Sequence, residues 1–134
     1  MSLDQALSKA QNDVPECLAV GYVDMTTGML LAVKTLDSHP QEVLDLVAAA
    51  TADLFQGKSV TAIEQIFRRS RGQAEDGAHY FQEILVFSSN LIHVFIRGKK
   101  HPEQAAVFVC RAGANIGMVL SKSRGSMAAI EAAG

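Results

Sequence analysis

Little in this sequence advertises chemistry. It holds only two cysteines, Cys17 and Cys110, far apart and in no CxxC pair, so the usual zinc and dithiol spacings are absent. In a reducing compartment they read as buried free thiols. No charge of one sign dominates: 12 Lys and Arg against 14 Asp and Glu leave a net charge of −2. That excludes the basic footprint of a nucleic-acid binder and the block of an acidic tail. No apolar run approaches the roughly 20 residues of a membrane helix, so no membrane partner is expected. The opening MSLDQALSKAQNDV carries charges and no apolar core, unlike a signal peptide, and a cytoplasmic location is the expectation. The glycines form neither GxxxxGKS/T nor a GxGxxG after a strand, which excludes those nucleotide-binding classes.

The four histidines, His39, His79, His93 and His101, pair with no Cys, carboxylate or second His at a metal-ligand spacing. Neither a metal nor a cofactor is expected. His93 and Cys110 invite a Cys/His nucleophile reading if their strands are neighbours. Against it, a thiol in an apolar strand has a raised pKa and is inert. No catalytic residue is assigned, and the chain reads as non-enzymatic.

What is present is apolar pattern. The 134 residues suffice for a real core, and 49% of them are hydrophobic, a high share for a monomer of this size. The centre of the chain is HYFQEILVFSSNLIHVFIRGKKHPEQAAVFVCR, His79 to Arg111. Three strand-length apolar runs are parted by Ser88-Ser89-Asn90 and by Gly98 to Pro102, whose residue types turn chains. Connections this short make an antiparallel meander. Its faces are apolar on both sides in places, so it needs cover on both.

Before the meander, Ser2 to about Asn12 reads as an amphipathic helix with Ser2 and Gln5 at capping-box spacing, ended by Asp13-Val14-Pro15. Glu16 to Met25 and Met29 to Leu36 form a hairpin turned at Gly28. Alternation puts Leu18, Val20 and Tyr22 on one face of the first strand, and Cys17, Ala19, Gly21 and Val23 on the other. Ser38 and Pro40 then open a helix that runs to about Gln56 and stops at Gly57. Its apolar arc is wide. Val43, Leu46, Val47, Ala50 and Leu54 form one stripe; Leu44, Ala48, Ala52 and Phe55 extend it. A one-sided surface helix needs only the first set, so this helix is expected to touch its own sheet and a second subunit. Lys58 to Arg71 fits a helix through Val60, Ile63, Ile66 and Phe67, or alternatively a strand, with helix favoured. Gly72 to Ala78 reads as a loop. After the meander, Asn115 caps a last helix with Ile116, Val119 and Leu120 on its apolar face; Gly125 is placed to break it, or the segment SMAAIEAAG continues it or frays. The order gives an α/β (α+β) class: one five-stranded antiparallel sheet with helices on its faces.

This order resembles the roadblock/dynein light chain family, a profilin-like fold. The resemblance is carried by the turn Asp24-Met25-Thr26-Thr27-Gly28 followed at once by an apolar strand, by the Ala-rich helix Pro40 to Phe55, and by the strand Ala106 to Arg111 leading into Asn115-Ile116-Gly117. It covers nearly the whole chain; Lys58 to Arg71 departs from the family pattern. It implies one roadblock-like domain over residues 1–134 and the strand order 2-1-5-4-3, with the first and last strands neighbours and Cys17 near Cys110. It further implies a homodimer, with third strands paired into one sheet and long helices side by side. Val43, Leu44, Val47, Ala48, Tyr80, Gln82, Ile84 and Val86 would form the seam. Such modules act as scaffolds for signalling or motor assemblies or as regulators of small Ras-like GTPases. The alternative is a small-molecule-sensing profilin/PAS-like domain. Two basic groups, Arg68, Arg69 and Arg71, and Arg97, Lys99 and Lys100, read either as solvated element ends or as docking points for an acidic partner.

Overall fold

The structure is a computed structural model that describes residues 1–36, 41–70 and 81–134; of residues 41–44, 68 and 70 it describes the backbone alone. In chain order the elements are α1 (Leu3–Asp13), β1 (Cys17–Asp24), β2 (Met29–Thr35), α2 (Gln41–Gln56), α3 (Lys58–Ser70), β3 (Glu83–Phe87), β4 (Leu91–Arg97), β5 (Gln104–Arg111) and α4 (Ile116–Ala133). The strands form one sheet in the order β2-β1-β5-β4-β3, and each neighbouring pair is antiparallel. The expected fold class and strand order are both found. The proposed cap Ser38, the loop 72–78, His79 and Tyr80 lie outside the described residues.

Local chemistry sets the element ends. Ser2 Oγ accepts from Gln5 N at 3.2 Å while Gln5 Oε1 accepts from Ser2 N at 2.9 Å, a reciprocal capping box that satisfies two orphan donors of α1. Gly28 turns the first hairpin at φ 71, where a β-carbon would be strained. Asn115 caps α4 by accepting from Met118 N at 3.1 Å. α4 runs unbroken through Gly125, the second of the two alternatives: one glycine weakens a helix by about 1 kcal/mol, less than the buried face of α4 returns. Lys58–Ser70 is helical, as favoured.

The sheet separates two cores. On one face, α1 (Ala6, Leu7, Ala10) and α4 (Val119, Met127, Ile130) pack over Val20, Tyr22, Val94 and Phe108. On the other, α2 contributes Ala48 and Phe55 to a smaller core with Val23, Phe95 and Val107. A bulge in β1, between Cys17 and Ala19, corrects the alternation expected there. It carries Cys17 to the face of Val20 and Tyr22, while Leu18 becomes the extra residue.

Candidate functional site

The helix α2 has two apolar sides, but their roles are the reverse of the simple stripe. Ala48, Thr51 and Phe55 are fully buried, one above the other at the i, i+3, i+7 spacing that defines an inward face. Thr51 Oγ1 donates to Val47 O at 2.8 Å, so its hydroxyl is satisfied inside the apolar contact. Leu46 is 65% exposed and Val47 41%, and Ala50 is exposed beside them. Three residues of the stripe that would have sufficed for one-sided packing thus face away from the sheet, while Leu54 is half-buried against the core.

At the sheet edge lies β3. Among the described residues its outer side has no strand neighbour, and Val86 and Phe87 are 39% and 65% exposed. Ile84 pairs with Phe95 and Val86 with His93, which fixes Ile84 and Val86 on the α2 face of the sheet. Between this end of the sheet and the helices runs an open groove of about 620 Å³. Val47, Ala50 and Leu54 of α2, Val60 of α3, and Val86, His93 and Phe95 of the sheet line it.

Of the residues expected at a dimer seam, Val47 and Val86 line this groove. Ile84 is half-buried against the α2-side core, and Gln82 is exposed just before β3. Ala48 is fully buried against the protomer's own sheet, so its methyl acts on that surface only through the depth at which α2 sits. The side chains of Val43 and Leu44, and all of Tyr80, lie outside the described residues.

Arg97 is where the sequence reading goes most astray. It is no docking point: only 2% of it is exposed. Its Nε donates to Phe81 O at 2.9 Å, Nη1 to Pro102 O at 2.8 Å and Nη2 to Phe55 O at 3.2 Å. The guanidinium lies 4.9 Å from the centroid of the Phe55 ring, within cation–π range. Burial pushes its pKa down, and the charge of Glu64 opposes that shift. Glu64 is itself buried on α3, while Ile63, Ile66 and Phe67 of the same helix are exposed. One cation therefore ties the end of α2, the entry to β3 and the β4–β5 loop into one rigid corner. The only sequence signal was a charge at the end of an apolar strand, which a solvated strand end shares.

Lys99 and Lys100 keep exposed side chains, but their backbones are committed. Glu131 Oε1 accepts from Lys99 N at 3.0 Å, and its Oε2 accepts from Lys100 N at 2.8 Å and His101 N at 3.1 Å. This carboxylate, which the sequence reading passed over, pins the β4–β5 loop to α4. At the β3 edge Arg124 grips Glu83 with two bonds, 2.8 and 2.7 Å, and holds its carboxyl below the usual carboxylate range.

The nucleophile reading fails on geometry. Cys110 pairs with Ile92, while His93 pairs with Val109. Neighbouring positions on a strand point to opposite faces. His93 therefore faces the α2 groove, and Cys110 the α1/α4 core. The neighbouring Cys17 thiol, and after it burial, pushes the Cys110 thiol far up. Among the described residues no group of three or more His, Cys, Asp or Glu is arranged to hold a metal ion, and no helix is long and apolar enough to cross a membrane.

No family model matches the chain, and no curated protein matches it by sequence. Solved structures do. The gliding protein MglB of Thermus thermophilus superposes with a TM-score of 0.71 at 19% identity, over 98% of this chain and 87% of that one. A roadblock/LC7 domain from Streptomyces avermitilis gives 0.68 at 14% identity, over 98% and 97%. MglB of Myxococcus xanthus gives 0.69 at 13% identity, over 97% and 93%. Identities this low speak to architecture, and they agree with the sheet order and helix placement seen here: the chain has the roadblock/LC7 fold.

Proposed function

We propose that this chain is a non-enzymatic, homodimeric roadblock-type module that works in the cytoplasm, binding or regulating a small Ras-like GTPase or a larger signalling or motor assembly. The observation that carries the self-association is the end of the α2 face that stays open among the described residues. An apolar groove there runs beside an edge strand whose side chains Val86 and Phe87 stand in solvent. Such an edge is an aggregation hazard when open. Antiparallel pairing of β3 with its own copy about a two-fold axis closes both edges at once, and it sets the outward Leu46, Val47 and Ala50 of α2 against the partner. The seam then takes in Val47, Gln82, Ile84 and Val86, with Val43, Leu44 and Tyr80 continuing it as the family resemblance implies. One structural neighbour is described as MglB in a tetrameric arrangement, with a TM-score of 0.73 at 17% identity over 98% of this chain and 86% of that one. The GTPase part rests on the family resemblance.

A sensing function would use the same groove. It lies open to solvent, whereas small-molecule sites bury most of their ligand, so a protein surface suits it better. Light scattering on the full chain at micromolar concentration should give twice the protomer mass; a protomer mass at that concentration overturns the dimer. Tagged protein captured from its own cell extract with GTP or GDP should bring down a Ras-like GTPase in a nucleotide-dependent way. Recovery of only its own untagged copy removes the GTPase partner and leaves the dimer.

A further inference from the structure

β1 slips by one residue as it begins. Its register on β5 runs one for one from Asp24 back to Ala19, which faces Val109; Cys17 then faces Cys110, so Leu18 is skipped. A slip of one residue moves the side chains beyond it to the other face of a strand. Regular alternation would leave Cys17 on the α2 side with Val23. The bulge turns it instead into the α1/α4 core, where Cys110 lies beside Phe108.

The bond that flanks the pair fixes its type. Arg111 N donates to Glu16 O at 3.1 Å, joining the residue after Cys110 to the residue before Cys17. The cysteines therefore occupy a non-hydrogen-bonded position of the ladder, where facing Cα atoms approach to about 4.5 Å. Disulfides form across Cα separations of roughly 4.4–6.8 Å. Both thiols are free and buried, and the Cys17 thiol donates to Ala19 O at 3.3 Å.

We propose that Cys17 and Cys110 are a redox-modification site, which hydrogen peroxide converts into an intramolecular cross-strand disulfide. Cys17 meets the oxidant first, being 6% exposed where Cys110 is sealed. Its sulfur attacks one peroxide oxygen, the O–O bond breaks, and the thiol proton leaves with the other oxygen as water. Cys17 is now a sulfenic acid. The sulfur of Cys110 then attacks the sulfur of Cys17, the S–O bond breaks, and the Cys110 proton joins the departing hydroxide as a second water. Two thiols lose two electrons in all, and one peroxide becomes two waters. The new bond ties the start of β1, just after α1, to the end of β5, just before α4. It lies on the face opposite the proposed dimer seam, so oxidation leaves the dimer mass unchanged, and the two readings stand or fall separately.

The test is intact and peptide mass spectrometry of the whole protein after graded hydrogen peroxide, under non-reducing conditions. The expected product has lost two hydrogens, carries a Cys17–Cys110 cross-linked peptide, and returns to two thiols with dithiothreitol. Closing so long a loop raises Tm by about 5–10 °C in the same sample. In a Cys110→Ser variant the sulfenic acid at Cys17 has no resolving thiol and is trapped by dimedone. A product with oxygens added to Cys17 and a free Cys110 thiol overturns the proposal. So does a disulfide between two chains, or a folded protein inert to peroxide that oxidises the same chain in denaturant.

Discussion

The two faces of the sheet are built from similar residues and finished differently. On the α1/α4 face, two helices cover the strands, and the core extends from Leu7 to Ile130 with large side chains fully buried. On the α2 face, among the described residues, the cover stops short. Ala48 and Phe55 seal the sheet over β1 and β5, while Val86, His93 and Phe95 toward the β3 edge line an open groove. The contrast shows that an apolar sheet face does not by itself specify intramolecular packing. A face is completed within the chain only where a helix lies over it. The remainder is the surface on which the proposed dimer would form.

The comparison breaks most sharply in the completed face. Phe108→Ala removes a fully buried ring and should cost about 3–5 kcal/mol, read as a lower urea midpoint with an unchanged slope. Next comes the corner that holds the open face in shape. Arg97→Met leaves the carbonyls of Phe55, Phe81 and Pro102 without their donor. A loss of about 3 kcal/mol is expected, together with weaker self-association, since β3 starts from this corner. Glu131→Ala deprives three backbone N–H groups of their acceptor. The expected cost is about 1–3 kcal/mol, and amide exchange at Lys99, Lys100 and His101 should rise first.

Val86→Ser sharpens the contrast, because it should cost the protomer under about 1 kcal/mol and yet shift the mass in solution from dimer to protomer. A Val86→Ser protein that keeps its dimer mass would move the seam elsewhere. The smallest effect concerns pH. Arg124 lowers the pKa of Glu83 in the folded state, so the pair's stabilisation is fully present above the ordinary carboxylate value of 4.5 and is lost as pH falls through the lower folded value. Arg124→Gln should flatten the acid side of the stability profile in that range while leaving neutral pH little changed, because the pair is largely exposed.

Much of the fold was legible because it is written in local chemistry. Ser2, Gly28 and Asn115 act within three or four residues of themselves, and strand periodicity placed Val20 and Tyr22 on one face of the first strand and Val23 on the other. The wide apolar arc of α2 correctly announced its contact with the protomer's own sheet. What it could not announce was which stripe went inward, since both stripes are apolar and only the twist of the sheet beneath chooses between them.

By itself, then, the sequence determined the kind and order of the elements and the antiparallel meander, because turn residues and periodicities act at short range. Only the tertiary structure decided the fates of Arg97, Glu131 and Cys17. Arg97 and Glu131 look like solvated charges until distant backbone groups converge on them. Cys17 looks like a residue of the α2 face until one skipped position at Leu18 turns it toward Cys110. Each outcome depends on partners many residues away, and no local pattern can encode which long-range neighbour a side chain will meet.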